Sequence, residues 1–376
     1  MADAQGLGPC FRKEVWVQVP PPAPTSATLA GVHVDQLPTP ALVIERSAVE
    51  HNIATMSAAL PGTLLRPHVK AHKCSALAAV QQAAGHPGFT CATPRELVGL
   101  ARLGIGDDLL LANETLDPDR LAAMAAVQDL VQVTVAVDSV ETIDAAASAG
   151  LRSVVIDVDI GLPRCGCLPD NAGRLADRAR ARGLEVRGVM GYEGHLMVVA
   201  DPDEHRQRVI EAVDQLMAAH DLVGGEMISG GGTGTYHVHH ADKRLSEVQA
   251  GSYALMDTHY AQLRHPFRQA CFVAGTVVSV SGRRAVADVG LKAMGMDHGN
   301  PAIVDLAGDA ALPDSSTVWF LSDEHITFAP KHPTRVGDRV RVVPAHIDPT
   351  MAMHEVAWLV DGDDVIDRWP IDLRHW

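Results

Sequence analysis

Apolar positions along the chain form two different patterns, which change near residue 266. From residue 41 to about residue 256, short apolar runs alternate with segments of helical period. Apolar residues within these runs do not alternate with polar ones, which is typical of strands buried on both faces of a parallel sheet. The nine runs are 41–44, 64–70, 89–91, 109–111, 131–137, 154–158, 186–190, 227–228 and 253–256. Their order predicts an α/β fold built from repeated strand–helix units.

Two candidate helices between these runs have recognisable ends. Residues 47–60 begin with Ser47, a residue type that caps helix N-termini, and residues 94–103 are followed by Gly104. Repeated units of this number indicate a (β/α)8 TIM-type barrel or an open doubly wound sheet. No GxGxxG motif opens a helix after an early strand, which disfavours the open dinucleotide-binding sheet. We therefore predict the barrel, and we place the run at 41–44 outside it because nine runs exceed eight strands.

Residues beyond about 266 predict a second, all-β C-terminal domain. Their strand-like segments are separated by glycine, proline and aspartate turns, and no long helical period occurs. These segments are 273–280, 284–289, 318–321, 339–343 and 356–360. Residues 1–29 predict a flexible N-terminal tail, since the proline-rich stretch at 19–24 cannot join a packed helix.

Composition and charge narrow the class of protein. A chain of 376 residues, with 47% hydrophobic and 20% charged residues, predicts a well-packed globular protein of about two domains. Its net charge of -15 disfavours nucleic acid and anionic membrane surfaces as partners, and no apolar run reaches the roughly 20 residues of a membrane span. Six cysteines without paired CxxC units indicate reduced thiols and a cytoplasmic location. The acidic residues Asp3 and Glu14 make the tail a poor secretory signal, with organelle import left as the alternative.

Four predicted strand ends carry residues suited to chemistry, and such ends converge at one face of a parallel barrel. Lys70 ends the run 64–70, where burial would lower its pKa toward the neutral amine that forms a Schiff base. The alternative is a basic strand end that faces water. Arg164 follows the run 154–158, and Tyr192 and His195 follow the run 186–190.

The fourth strand end is the glycine-rich loop 229–236, with the sequence SGGGTGTY. Glycines allow backbone N–H groups to approach an anion, and threonine hydroxyls add donors. The loop lacks the Gly-Lys-Ser/Thr ending of a nucleotide loop, so it predicts a phosphate monoester site rather than an ATP site; a flexible connection is the alternative. A Schiff-base lysine facing a phosphate loop indicates pyridoxal 5'-phosphate.

His346 and Asp348 form a candidate metal site after the run 339–343. In an extended segment, residues two apart point to the same side, so the imidazole and the carboxylate would reach one cation. One nitrogen and one carboxylate, without a thiolate, favour Mn²⁺ or Mg²⁺. The alternative is a turn with an aspartate before Pro349.

Seven motifs together resemble the fold-type III pyridoxal-phosphate enzymes, within the D-threonine aldolase and D-serine dehydratase group. They are residues 66–73 (RPHVKAHK), 161–166 (GLPRCG), 191–195 (GYEGH), 230–236 (GGGTGTY), 251–257 (GSYALMD), 322–325 (SDEH) and 346–350 (HIDPT). The resemblance implies an alanine-racemase-like barrel with a C-terminal β domain, and a homodimer whose active sites lie near the domain and subunit boundary. It assigns residues 30–45 to the β domain, 46–265 to the cofactor-binding barrel and 266–376 to the β domain with the metal site.

The resemblance also implies roles for individual residues. Lys70, rather than Lys73, would hold the cofactor, and we predict His195 as the general base. The other implied site residues are Gly232, Thr233, Gly234 and Tyr253 near the phosphate, Arg164 and Tyr192 beside the cofactor, and His346 and Asp348 as metal ligands.

Asp348 separates the reactions within this group, because the dehydratases that the chain resembles have cysteine and zinc there. The aspartate predicts a carbon–carbon lyase that uses pyridoxal phosphate with Mn²⁺ or Mg²⁺. It would cleave D-β-hydroxy-α-amino acids, such as D-threonine or D-allo-threonine, to glycine and an aldehyde. The rival enzyme is a dehydratase of D-serine or D-threo-3-hydroxyaspartate. A pyridoxal-phosphate carrier is the non-enzyme alternative, which the predicted second β domain disfavours.

Overall fold

A parallel barrel and a mostly antiparallel sheet make up the computed structural model, which describes residues 29, 31–305 and 316–375. The predicted tail 1–29 lies outside the described residues except for Leu29. Five cysteines in the described ranges are free thiols. No described helix is both long enough and apolar enough to cross a bilayer.

Seven parallel strands, paired in chain order, form the barrel sheet. They are β2 (Gly88–Cys91), β3 (Asp108–Leu111), β4 (Gln132–Val137), β5 (Ser153–Asp157), β6 (Glu185–Gly191), β7 (Met227–Gly230) and β8 (Glu247–Val248). Strand β1 (Ala41–Glu45) comes before them in the chain and lies outside this sheet. The extended segment 65–68 lies between the two outer strands. The Arg66 N–H donates to the Val248 carbonyl at 2.9 Å, and the Thr90 N–H donates to the Pro67 carbonyl at 3.0 Å. These bonds close the sheet into a barrel, which confirms the predicted fold class.

Eight α-helices accompany these strands among the described residues. They are α1 (Arg46–Ala59), α2 (Ser75–Ala83), α3 (Pro94–Leu103), α4 (Pro118–Ala125), α5 (Val140–Ser148), α6 (Ala172–Ala181), α7 (Pro202–Val223) and α8 (Tyr236–Asp242). Helix α3 ends as predicted, with Gly104 in the left-handed conformation at φ 68°. The Ser47 cap was wrong, because Glu45 caps α1 by accepting the Ala48 N–H at 2.8 Å.

The run at 253–256 was predicted as a strand, and the structure contradicts this. Residues 252–254 form a 3₁₀ turn, and the last barrel strand is the shorter β8. A buried apolar run of four residues has the same composition in a turn as in a strand, so periodicity does not distinguish them. The turn is held by the side-chain amide of Asn52 in α1, which donates to the Ala254 carbonyl at 3.1 Å.

The second sheet contains nine strands in the described residues and combines one strand from before the barrel with eight from after it. Strand β1 pairs antiparallel with β9 and parallel with β15, so the strand before the barrel belongs to the sheet that follows it. The strands after the barrel are β9 (Cys271–Ser281), β10 (Arg284–Ala287), β11 (Ala302–Asp305), β12 (Thr317–Leu321), β13 (Ile326–Ala329), β14 (Arg339–Val343), β15 (Val356–Asp361) and β16 (Asp364–Pro370). Strands β11, β13 and β16 were not predicted.

One short helix, α9 (Ile347–Met353), connects this sheet to the mouth of the barrel. It follows β14 and contacts the 3₁₀ turn that contains Lys70. The Ile347 N–H donates to the buried carboxylate of Asp257 at 3.0 Å, which fixes the start of α9 against the barrel. The C-terminal segment adds a second attachment, because the Leu373 N–H donates to the Lys73 carbonyl at 3.0 Å.

Candidate active site

A cavity lies at the barrel mouth, where the carboxyl ends of the strands converge. Most of its lining residues come directly after a strand, as the architecture of a parallel barrel dictates. The lining consists of His68, Lys70, Ala92, Ala112, Asn113, Arg164, Cys165, Met190, Tyr192, Gly231, Gly232, Thr233, Gln249, Gly251, Ser252 and Tyr260. Five of the predicted site residues therefore share one cavity.

Lys70 lies in a 3₁₀ turn just after the extended segment 65–68, and its amine reaches toward α9. The Nζ atom is 3.3 Å from Oδ2 of Asp348 and 5.9 Å from the centre of the Tyr192 ring. The Asp348 carboxylate raises the pKa of Lys70, although burial acts in the opposite direction. The expectation of a lowered pKa was therefore wrong, because a carboxylate from the second sheet region compensates the ammonium charge.

The glycine-rich loop presents Gly231, Gly232 and Thr233 to this cavity. Gly231 has a left-handed φ of +75°, a backbone conformation that residues other than glycine rarely adopt. A Cβ atom at Gly234 would lie 2.0 Å from the Met197 carbonyl oxygen, so Gly234 allows the loop to pack closely against the chain after β6. Gly234 is outside the cavity lining, and its contribution is this close packing.

Glu193 lies beneath the loop and was not predicted as a functional residue. Its buried carboxylate accepts hydrogen bonds from Thr235 Oγ1 at 2.7 Å, His239 Nε2 at 2.7 Å and the Gly231 N–H at 3.3 Å. Burial alone would raise its pKa, but His239 and these hydrogen bonds outweigh burial and lower the pKa. The carboxylate thereby fixes the loop conformation; its position in the 191–195 motif, next to Tyr192, was the available signal.

Tyr253 supports the loop from behind and does not line the cavity. Its side chain is fully buried, and its hydroxyl accepts a hydrogen bond from Gln81 Nε2 at 3.0 Å. Its backbone N–H donates to Thr233 Oγ1 at 3.0 Å, so Tyr253 contacts the loop through the main chain.

Arg164 and Tyr192 both line the cavity, and their side chains contact each other. The guanidinium carbon of Arg164 is 5.5 Å from the centre of the Tyr192 ring, within the range of a cation–π contact. Burial raises the pKa of the Tyr192 hydroxyl, which keeps this group protonated. Asn113 and His68 also line the cavity and were not predicted.

His195 is not among the residues that line the cavity. It lies in a 3₁₀ turn after β6, and its side chain is exposed. Its ring packs over Gly161, where a Cβ atom would lie 3.0 Å from Cε1 of His195. The structure therefore places His195 at the barrel mouth, outside the group formed by Lys70, Arg164 and Tyr192.

His346 and Asp348 come together, but the predicted extended segment was wrong. His346 precedes α9 as its N-cap residue, and Asp348 lies in the first helical turn. Nε2 of His346 is nevertheless 4.0 Å from Oδ1 of Asp348. A second donor set overlaps the first, because ligand atoms of Asp297, His298 and His346 all lie within 4.8 Å of one another.

The donor set suits the implied cofactor and cation. The Lys70 amine, the glycine-rich loop and the Arg164 guanidinium share one cavity. In that order, these groups suit the aldehyde, the phosphate and the aromatic ring of pyridoxal phosphate. The imidazole and carboxylate beside that amine are ligand types that Mn²⁺ accepts.

Two family descriptions match consecutive parts of the chain. Residues 44–259 match the alanine racemase N-terminal domain, and residues 270–360 match a putative serine dehydratase domain. The first match covers the barrel and ends before β9, and the second covers most of the second sheet.

Full-length relatives and a solved structure agree with these matches. D-threonine aldolase from Arthrobacter sp. is 31% identical, with 95% of this chain and 97% of that protein covered. The 3-hydroxy-D-aspartate aldolase of Paracoccus denitrificans (strain Pd 1222) is 29% identical over 92% of this chain and 94% of that protein. The crystal structure of D-threonine aldolase from Filomicrobium marinum superposes with a TM-score of 0.84 at 32% identity, covering 92% and 98% of the two chains. The chain therefore belongs to the alanine-racemase-like, fold-type III family of pyridoxal-phosphate enzymes, within the group that contains D-threonine aldolase and D-serine dehydratase.

Proposed function

We propose that this enzyme is a carbon–carbon lyase that cleaves D-β-hydroxy-α-amino acids such as D-threonine or D-allo-threonine to glycine and an aldehyde. One observation carries the proposal. The Lys70 amine faces the glycine-rich loop within one cavity and lies 3.3 Å from the Asp348 carboxylate. A cofactor held by the amine and a cation held by the carboxylate would thus meet at one substrate.

Lys70 would hold pyridoxal phosphate covalently, with Gly232, Thr233 and the backbone of Tyr253 around the phosphate. The bound cofactor supplies an electron sink for the pair released when the Cα–Cβ bond breaks. Glu193 holds the loop in shape through its bonds to Thr235 and Gly231. Gly234 permits the close packing that this shape requires.

His346 and Asp348 would hold Mn²⁺ or Mg²⁺, and the cation would supply a Lewis acid that makes the β-hydroxyl of the substrate more acidic. His195 is the proposed base that accepts the hydroxyl proton, because it lies at the same barrel mouth on the loop after β6. Replacing His195 with alanine should abolish aldehyde release and leave the absorbance of bound cofactor intact. Unchanged turnover in this variant would remove His195 from the role.

A second cavity adjoins the first and supports an uncharged β substituent. The two cavities share Lys70, Ala92 and Asn113, and the second also contacts Asp348 and Ala352. Its remaining lining residues are Lys73, Thr93, Pro349 and the exposed His375.

Both lysines of this second cavity already have acidic partners. Lys70 pairs with Asp348, and Lys73 pairs with the fully buried carboxylate of Glu96. Because the Glu96 carboxylate neutralises Lys73, that ammonium offers little net attraction to a β-carboxylate in this cavity. These charges favour threonine-like substrates over 3-hydroxyaspartate.

The dehydratase reaction remains the second candidate, since it needs the same lysine, loop and cation. Asp348 in place of cysteine favours the aldolase. The carrier alternative is disfavoured because a pyridoxal-phosphate carrier related to the barrel alone would lack the second sheet and α9.

We also propose a cytoplasmic homodimer with the domain boundaries 46–265 and 266–376, the strand 30–45 belonging to the second domain. The assembly would be tested by sedimentation of the purified protein. A monomer at micromolar concentration would contradict it.

Product identification tests the function directly. Purified protein with added pyridoxal phosphate is incubated with D-threonine, D-allo-threonine, D-serine and 3-hydroxy-D-aspartate, with and without EDTA. We expect glycine plus acetaldehyde from the first two substrates, with loss of activity in EDTA and recovery with Mn²⁺. Ammonia plus a 2-oxo acid as the main products would establish the dehydratase instead.

A further inference from the structure

We propose that Asp297 is a positioning residue for His346, and that neither Asp297 nor His298 binds the metal ion. The inference rests on the proposed function, because it concerns the cation that His346 and Asp348 would hold. It decides between two overlapping donor sets, His346 with Asp348 and His346 with Asp297 and His298.

Both nitrogens of the His346 ring have a defined neighbour. Nδ1 is 2.7 Å from Oδ2 of Asp297, which is a hydrogen-bond distance. Nε2 is on the other side of the ring, 4.0 Å from Oδ1 of Asp348. With the proton on Nδ1 donated to Asp297, the Nε2 lone pair points to the side where Asp348 lies. A carboxylate behind a ligating histidine fixes its tautomer and ring orientation in this way.

Distances argue against Asp297 as a ligand. Two adjacent ligand atoms at about 2.1 Å from an octahedral ion stand roughly 3.0 Å apart. The separation of 2.7 Å between Nδ1 and Oδ2 is shorter than that and is normal for a charge-assisted hydrogen bond.

Ring geometry argues against His298. Its ring stacks on that of His346 with centroids 4.0 Å apart and planes only 8° from parallel. A ligating nitrogen directs its lone pair within the ring plane, so two stacked parallel rings cannot direct both lone pairs at one ion. His259 also contacts His298, with ring centroids 4.1 Å apart and planes tilted by 40°, so His298 contacts both rings. The stack restricts rotation of His346 and does not add a ligand.

The segment that carries Asp297 is held in register with the start of α9. The Gly295 N–H donates to Thr350 Oγ1 at 3.0 Å, and Thr350 Oγ1 donates to the His346 carbonyl at 2.7 Å. A Cβ atom at Gly295 would lie 2.2 Å from Pro349 Cγ, so glycine allows this close approach. Asp297 thus follows any movement of the metal-binding helix, as a positioning residue must.

Mn²⁺ binding measured by electron paramagnetic resonance tests the inference on the protein with bound pyridoxal phosphate. Asp297→Asn and Asp297→Ala should each weaken Mn²⁺ affinity about 10- to 100-fold, the effect typical of removing an outer-shell carboxylate. Asp348→Ala should abolish binding. The control Asp323→Asn removes an exposed carboxylate that pairs with Lys292 and should leave the affinity unchanged.

Pulsed resonance counts the imidazole nitrogens bound to Mn²⁺ and thereby tests whether His298 is a ligand. The number of bound waters, counted in H₂¹⁷O, tests Asp297 in the same way: it should stay unchanged in Asp297→Ala, because losing a positioning residue opens no coordination position, and one additional water would make Asp297 a ligand. We expect ¹⁴N coupling from one imidazole in the wild type, and the same coupling in His298→Gln and in Asp297→Asn at saturating Mn²⁺. Coupling from two imidazoles, or unchanged affinity in both Asp297 variants, would overturn the inference while leaving the proposed function standing. A wild-type protein that binds no Mn²⁺ and cleaves substrate equally well in EDTA would overturn the proposed metal site and this inference together.

Discussion

Charged side chains inside the barrel and those at its mouth differ in where their partners come from. Inside, Arg66 donates to Glu247 at 2.7 Å, to Asp108 at 2.9 Å and to the Asp108 carbonyl at 2.8 Å. Arg187 completes this network by donating to the other Asp108 oxygen at 2.8 Å. These partners all belong to the barrel.

At the mouth, the lysine amine instead contacts a carboxylate from the second sheet region. Lys70 Nζ meets Asp348, and Lys70 keeps 38% of its side chain exposed. Arg164 faces the aromatic ring of Tyr192 and the cavity. The difference indicates two tasks for charge: the interior pairs stabilise the closed barrel, whereas the groups at the mouth keep their donors accessible to a ligand.

The largest effect should come from the amine at the mouth. Lys70→Ala should lower turnover on the order of 10⁶-fold, the loss typical of removing a covalent catalytic group, because no other amine would hold the cofactor. Aldehyde release and the absorbance of bound cofactor measure it. Lys292→Ala, at an exposed ion pair, should retain both, and substantial activity in Lys70→Ala would reassign the cofactor lysine.

Substitutions in the interior charge network should change the free energy of unfolding rather than turnover. Arg66→Met removes the arginine that pairs with Glu247 and one of the two arginines that contact Asp108, and it should lower the free energy of unfolding by about 3–5 kcal/mol. Denaturant titration measures this change. Arg152→Ala breaks an exposed pair with Asp129 and should cost less than about 1 kcal/mol. Equal effects in the two variants would contradict the distinction between buried and exposed pairs.

Glu96 tests how charge at the mouth sets the substrate. Glu96→Gln keeps an acceptor oxygen for the Ala92 N–H but removes the charge that neutralises Lys73. The ratio of kcat/KM for 3-hydroxy-D-aspartate to that for D-threonine should rise about tenfold, which corresponds to about 1.4 kcal/mol. Glu141→Gln, in the exposed first turn of α5, is the matched control. A ratio that does not change would place the β substituent elsewhere.

The smallest effect should be on how the free energy of unfolding depends on pH in the acid range. Burial would raise the pKa of Asp108, but its hydrogen bonds and charge interactions with Arg187 and Arg66 lower it below 3.8. Because the folded pKa is depressed, this stabilisation is present above pH 3.8 and is lost as pH falls through the folded value. Asp108→Asn should flatten the pH dependence there by at most about 1.4 kcal/mol per pH unit. Parallel unfolding curves for wild type and variant below pH 4 would contradict this assignment.

Much of the active-site cavity was predictable because the architecture of a parallel barrel brings its strand ends together. Lys70, Arg164, Tyr192, Gly232 and Thr233 are far apart in sequence and line one cavity. Predictions failed where they depended on contacts between residues that are far apart in the sequence. The raised pKa of Lys70 depends on Asp348, which no local pattern connects to residue 70.

Two further long-range contacts could not be predicted from the sequence. The hydrogen bond between His239 and Glu193 joins α8 to the chain after β6, and no local pattern connects these two residues, which lie 46 positions apart. Asp297 reaches His346 because Gly295 and Thr350 register their two segments, a contact that spans 49 positions between the paired side chains.

The amino-acid sequence alone determined the division into a strand–helix region and a strand-rich region, and it determined which residues stand at the strand ends. Both follow from local periodicity, because side-chain spacing within an element decides which face is buried. Only the tertiary structure decided which charges pair and that α9 lies against the Lys70 turn. These depend on the docking of the barrel against the sheet, since long-range contacts form only when distant segments pack together.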